Sequence, residues 1–287
     1  MPAHLVPPGR PLDLPGRGTT WIVEHDPIET NTSSVTPILL LHGINGGSGI
    51  NFSHLYPALA HHRVIALDHR AHGRGIRSPD PTITECAHDA AAVLDALDIA
   101  GAAVVGYSMG GAIAQEMWRH HPGHVSALAL WATAARFTHG ARRRRNYGRV
   151  PTVARQIDGA VRGLAGISAK ILRVGEMNKM RRPEIAWVNH EVARHDPAGV
   201  ASLSASLAAF DSRKWVGEID IPTAVLVTDQ DRIVPPERQR ELAHLIPHAV
   251  QVTFSRAGHS TPMARPDRVV PGAVAAFDAL IGRLTAS

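Results

Sequence analysis

The stretch from Ala102 to Gly111 reads Ala-Ala-Val-Val-Gly-Tyr-Ser-Met-Gly-Gly, and it leaves the backbone very few paths. Its first half is a short apolar run of the kind that makes a buried strand. From Met109 onward the apolar residues recur at helical spacing. Between the two lies G-x-S-x-G, as Gly106-Tyr107-Ser108-Met109-Gly110. A strand that turns directly into a helix bends so tightly that the residue at the bend is strained and its side chain projects clear of the chain. The positions two before and two after must lack bulk, which Gly106 and Gly110 provide, and Gly111 adds clearance for the helix. The helix then aims its N-terminus, with free N–H groups and a positive dipole end, at the Ser108 oxygen. A chance Gly-Ser-Gly loop does not need a strand before it and a helix after it.

The rest of the chain repeats this alternation. Apolar runs at 37–41, 63–67, 102–106, 126–131, 223–228 and 249–254, with a short strand at 21–25, are separated by helical patterns at 84–97, 109–121, 236–245 and 267–284. Such alternation predicts an α/β fold with a mostly parallel, doubly wound sheet and helices on both faces. The Pro/Gly-rich stretch 7–18 reads as an extended lead-in. Between Ala135 and about Trp215 the strands stop while helical periodicity continues. We read residues 136–214 as a helical insertion over one edge of the sheet, with 1–135 and 215–287 forming the core. The 287 residues, 44% hydrophobic and 19% charged, fit this size and exclude a disordered, collagen-like or coiled-coil chain.

A serine hydroxyl needs a base within hydrogen-bond reach and an orienting group behind that base. Of the 18 histidines, His259 follows a late strand in Ala257-Gly258-His259, just before the last helix. That puts it at the same sheet edge as Ser108. The carboxylate is expected between them in chain order, after another strand. Asp229 and Asp231 both qualify, and Asp231 is preferred because it lies a short turn past the strand end, before Ile233-Val234-Pro235. Asp229 is the alternative, with a turn-capping role as its plainer reading. An oxyanion needs two preset donors. The backbone N–H of Met109 is one candidate, and the N–H of Ile44 in the glycine-rich loop after 37–41 is the other. A phosphate cradle is the rival reading of that loop, but it holds neither G-K-[ST] nor G-x-G-x-x-G.

These pieces, with Leu41-His42-Gly43, Asp68-His69-Arg70-Ala71-His72-Gly73-Arg74-Gly75 and the order Ser108, Asp231, His259, resemble the α/β-hydrolase superfamily over nearly the whole chain. The resemblance implies that 136–214 is a cap (lid) over the active site. Ile171, Leu172, Met177, Met180, Trp187, Leu203 and Leu207 would then either line an acyl pocket or pack cap helices together. It also implies that Asp68, Arg70 and His72 brace a loop beside the site, with Ala71 standing where relatives usually carry glycine. Epoxide hydrolases and haloalkane dehalogenases of this fold use an aspartate nucleophile, and Ser108 argues against both.

The expected activity is a serine hydrolase, of carboxylesterase type, acting on an ester or thioester of a small acyl substrate. Cofactor-free perhydrolases, acyltransferases and C–C bond hydrolases resemble the chain equally well at these motifs. A non-catalytic ligand-binding member of the fold is the third reading. No metal or organic cofactor is implied, since His61-His62 and His120-His121 are adjacent pairs with no third ligand at useful spacing.

The net charge of +5 is uneven: between Arg136 and Arg182 there are 13 Lys/Arg and 2 Asp/Glu. The run Arg142-Arg143-Arg144-Arg145, with Arg149 and Arg155, reads as a solvated face, with anionic lipid headgroups or an acyl-CoA phosphate as functional alternatives. Peripheral membrane contact would run through this basic segment. Nucleic acid is disfavoured because no recognition motif or interleaved aromatics accompany the arginines. A lone cysteine, Cys86, no apolar run of about 18 residues and no secretory h-region in Met1 to Leu14 lead us to expect a cytoplasmic protein.

Overall fold

A computed structural model of the chain describes residues 5–27, 36–137 and 182–285. Eight strands form one sheet: β1 (Gly9–Leu14), β2 (Gly18–His25), β3 (Ile38–Leu41), β4 (Val64–Leu67), β5 (Ala102–Tyr107), β6 (Val125–Trp131), β7 (Thr223–Thr228) and β8 (Val250–Phe254). Their order is β1-β2-β4-β3-β5-β6-β7-β8. The pairs β1–β2 and β2–β4 are antiparallel, and every later pair is parallel. The helices are α1 (Ser48–Phe52), α2 (Leu55–Ala58), α3 (Ile83–Ala96), α4 (Met109–His120), α5 (Arg182–Val192), α6 (Pro197–Ala209), α7 (Pro236–Leu245), α8 (Thr261–Ala264) and α9 (Val270–Thr285).

The central strands are buried on both faces, which explains why they read as continuous apolar runs. Alternate residues feed two cores. Leu39, Ile65, Val104, Leu128 and Val225 face α3, α4 and α7, while Leu40, Ala66, Val105, Ala129 and Leu226 face α2 and α9. Thr82 caps helix α3, its Oγ1 accepting from Glu85 N–H at 3.1 Å.

One strand departs from expectation. The lead-in 7–18 contains β1, an edge strand. Pro11 sits inside it, opposite Trp21. An edge strand tolerates proline because one of its sides makes no ladder bonds, and the proline and glycine content hid it. The last helix begins at Val270 rather than at 267, because Pro266–Arg268 forms a separate 3-10 turn.

Of the inserted stretch, α5 and α6 are described. Asp196 caps α6 by accepting from Ala198 N–H, with Pro197 at the first helical position. The stretch leaves and returns at one place: Arg136 and Asp211 form an isolated antiparallel bridge, and Ser212 N–H donates to Ala135 O at 2.8 Å. Among the described residues no helix is long and apolar enough to cross a membrane. The basic residues Arg142 to Arg145, Arg149 and Arg155, and the apolar residues Ile171, Leu172, Met177 and Met180, lie outside the described residues.

Candidate active site

Strand β5 runs into α4 at Ser108, which adopts φ +55° and ψ −116°. Such a conformation costs a residue with a Cβ about 1–3 kcal/mol and persists only when its surroundings over-determine it. They do so here. Ser108 N–H donates to Trp131 O at 2.9 Å, and Ser108 O accepts from Thr133 Oγ1 at 2.7 Å and from Gly111 N–H at 3.0 Å. A Cβ at Gly106 would meet the Gly110 carbonyl and Gly111 Cα, and one at Gly110 would meet the Leu41 carbonyl. The glycine spacing is therefore a demand of backbone contact between β5, α4 and β3.

The three side chains singled out from the sequence come together at the C-terminal edge of the sheet. His259 Nε2 lies 3.0 Å from Ser108 Oγ, and His259 Nδ1 lies 2.7 Å from Asp231 Oδ2. A carboxylate accepts only, so the imidazole proton sits on Nδ1 and Nε2 presents its lone pair to the hydroxyl. The Asp231 side chain is fully buried and its oxygens are saturated. Oδ1 accepts from Ile233 N–H at 2.8 Å and Val234 N–H at 2.9 Å. Oδ2 accepts from Thr228 Oγ1 at 2.9 Å and Gln239 Nε2 at 3.2 Å, besides His259. Asp229 faces elsewhere: its Oδ1 accepts from Ala257 N–H at 3.2 Å, tying the end of β7 to the histidine loop.

The loop after β3 packs directly on the bend. A Cβ on Gly43 would lie 3.1 Å from Ser108 Cβ and 3.2 Å from the Tyr107 ring, a tight contact that glycine avoids. Gly43 N–H donates to Asn51 Oδ1 at 2.9 Å, Asn45 N–H to His72 Nε2 at 3.0 Å and Gly46 N–H to Gly43 O at 3.0 Å. Between them, Ile44 N–H meets no acceptor among the described residues. Met109, fully buried, is the first residue of α4, where N–H groups have no intrahelical acceptor.

The segment after β4 holds this loop. Asp68 Oδ1 accepts from Ser48 N–H and Oγ, and Oδ2 accepts from Arg74 N–H. Arg70 makes a two-pronged pair with buried Asp89, at 2.6 and 2.9 Å, and Arg17 joins it. His72 donates from Nδ1 to Arg70 O, and His42 from Nδ1 to Gly43 O, while the Nε2 of His42 accepts from His69 N–H. Each of these two rings therefore has one donor and one acceptor nitrogen in use, an arrangement open only to neutral imidazole. Burial agrees: it pushes His42 down to about 4 and takes His69 and His72 well below the ordinary histidine range. A fourth ring, His195, packs edge-on against His72 and accepts from Gly73 N–H, so the inserted stretch docks on this cluster. Ala71 has φ +65°, and its Cβ packs against Gly199 of α6.

A cavity of about 60 Å³ lies between α5 and the loop leading into α1, lined by Trp187, Glu191, His195, Arg74 and Ser48 among others. Ser108 and His259 are not among its lining residues. Leu203 is fully buried against the sheet-side core, which favours its packing role. Two further contributors escaped the sequence reading. The Tyr107 hydroxyl, kept protonated by burial, donates to the His259 carbonyl, and its ring lies 5.3 Å from the imidazole. Gln239 bridges Asp231, Thr228 and Val234. Its signal was a glutamine at helical spacing with Leu242 and Ile246, a buried polar residue on an apolar face.

The family model described as alpha/beta hydrolase fold matches residues 36–161 and 197–266. The RutD protein of Azorhizobium caulinodans, whose name assigns it carbamate hydrolysis, is 31% identical over 241 residues, covering 81% of this chain and 87% of its own. The pimeloyl-[acyl-carrier protein] methyl ester esterase of Chromobacterium violaceum is 32% identical over 162 residues, covering 55% and 63%. A thermophilic esterase from Thermogutta terrifontis superimposes with a TM-score of 0.77 at 25% identity, covering 96% of this chain and 99% of that one. With its sheet order, its bend and these likenesses, the chain belongs to the alpha/beta hydrolase fold family and is an enzyme of the hydrolase type.

Proposed function

We propose that the protein is a serine hydrolase that cleaves a carboxylic ester or thioester through an acyl-enzyme on Ser108. The observation that carries this reading is the continuous relay from Ser108 Oγ to His259 Nε2 and from His259 Nδ1 to Asp231, at 3.0 and 2.7 Å. Ser108 attacks the acyl carbon while His259 Nε2 takes the hydroxyl proton. Asp231 holds the ring in the required tautomer and stabilises the imidazolium that forms. The backbone N–H groups of Met109 and Ile44 receive the negative oxygen of the tetrahedral intermediate. His259 returns the proton to the departing alcohol or thiol as its bond to the acyl carbon breaks; it then takes a proton from water, whose oxygen attacks the acyl carbon, and gives that proton to Ser108 Oγ as the acyl–Oγ bond breaks and the acid leaves. Tyr107 fixes the backbone of the base, and Gln239 the carboxylate.

The names of the relatives, two of which refer to esterases, support an acyl substrate, and no step requires a metal or organic cofactor. Transfer to peroxide, to an alcohol or to another acceptor would use the same groups, and product analysis with competing acceptors separates these reactions from hydrolysis. A solely ligand-binding role would leave the strained bend and the saturated carboxylate without a use. On the same reading the enzyme works in the cytoplasm, where the single, buried Cys86 stays a thiol.

The test is turnover of short and medium p-nitrophenyl esters, with organophosphorus labelling of the purified protein. Labelling should fall on Ser108 and disappear in Ser108→Ala along with turnover. A protein that hydrolyses esters equally well as Ser108→Ala refutes the assignment.

A further inference from the structure

We propose that His61, His62 and Asp278 form a binding site for a divalent transition-metal ion of the zinc class, clipping the last helix to the start of β4. From sequence alone the adjacent histidines have no third ligand. The fold supplies one from α9, more than two hundred positions away. His62 Nε2 and His61 Nε2 approach the same carboxylate oxygen, Asp278 Oδ1, at 2.7 and 3.3 Å. The three ligand atoms lie within 4.8 Å of one another, and among the described residues this is the one group of three or more such side chains that converges so closely.

The geometry is close to what an ion requires. Tetrahedral zinc at about 2.0–2.2 Å from nitrogen and oxygen sets its ligands roughly 3.3–3.5 Å apart. The existing separations reach that range by small side-chain rotations. The two rings are held near each other, 4.3 Å between centroids. His62 is fixed by burial, at 6% side-chain exposure, whereas His61 at 56% and Asp278 at 45% leave the face open for the ion to enter and for water to complete its coordination. Two imidazoles and one carboxylate select zinc, nickel or copper over magnesium or calcium.

One feature limits affinity. Coordination through Nε2 places the His62 proton on Nδ1, which is buried and has no acceptor among the described residues. Ligating histidines usually donate from that nitrogen, and losing such support costs about 10–100-fold in affinity. The site should therefore bind more weakly than one whose histidines are supported in this way.

The place in the fold assigns the role. His61 and His62 lie just before β4, with Arg63 between, so they sit at the edge of the parallel strands opposite Ser108, Asp231 and His259. The ion would hold together elements distant in sequence and leave the acyl chemistry alone.

The test is a titration of the purified, metal-stripped protein with Zn²⁺ against a chromogenic chelator, alongside thermal unfolding, for wild type, His61→Ala and Asp278→Ala. Both variants change exposed side chains and should fold and hydrolyse esters as wild type does in the presence of chelator. The expected result is one zinc per chain at micromolar concentration. Binding should weaken at least about tenfold in each variant. The midpoint should rise by roughly 5 °C at a hundredfold excess over the dissociation constant in wild type only, with no rise for Mg²⁺. Unchanged zinc affinity in both variants, or no binding below millimolar zinc in wild type, overturns the proposal.

Discussion

Two loops flank Ser108 and are built on opposite plans. In the turn after β7, the bonds converge on Asp231 itself: two backbone N–H groups, Thr228, Gln239 and His259 all donate to one carboxylate. The functional group is also the fastener. In the loop after β3, the fasteners are bystanders. Asn51, His72 and Asp68 hold the backbone around Ile44, and none of them faces the serine's own relay. The difference means that damage to the first loop strikes chemistry and structure together, whereas damage to the second moves a donor without removing a reacting group. It also makes the second loop sensitive to acid, because its fasteners include imidazoles that must stay uncharged.

The sharpest break is Asp231→Asn. The amide cannot hold the required tautomer, and kcat for an activated ester should fall about 10⁴-fold. Asp229→Asn should stay within a few-fold, since Asp229 only ties one loop to another; equal losses in steady-state assays of the two would reverse the assignment. On the other side, His72→Leu leaves Asn45 N–H without its acceptor. We expect kcat to fall about 10–100-fold with KM little changed, and stability to drop by about 1–3 kcal/mol in urea unfolding.

Acid provides the third probe. Unfolded, His42, His69 and His72 titrate near 6.5; folded, burial holds His42 at about 4 and the other two well below the ordinary value. Below about pH 6.5 the unfolded chain takes up protons that the folded one refuses. The stability they provide is complete above that pH and is lost on the way down to about 4 for His42. The slope is about 1.4 kcal/mol per pH unit for each such imidazole. Urea midpoints across that window should fall in wild type and fall less steeply in His72→Leu. The smallest effect is expected at Ala71, whose φ of +65° suits glycine. Ala71→Gly should raise stability by no more than about 1 kcal/mol. Gly199→Ala, which drives a Cβ against that of Ala71, should be better tolerated in that background, a coupling that a double-mutant cycle measures.

What the sequence made legible was local. The glycines at 106 and 110 state a steric demand within a few residues, and strand-end positions bring Ser108, Asp231 and His259 to one edge. Asp229 and Asp231 could be ranked only by their distance past the strand, because what separates them is the set of donors around each. Tyr107, Gln239 and Asp278 acquire their roles from partners 152, 8 and 216 positions away. No pattern within a segment announces the long-range ones. Strand β1 was hidden by proline that its edge position excuses.

The bridge between Arg136 and Asp211 has a practical consequence. It clasps the two ends of the connection between β6 and β7, while α5 and α6 are anchored separately: His195 accepts from Gly73 N–H, Asp196 N–H donates to Ala71 O, and Leu203 is buried in the core. Replacing only residues 138–181, with α5 and α6 kept in place, should leave the sheet and its bend intact, because the contacts of α5 and α6 with the core are retained.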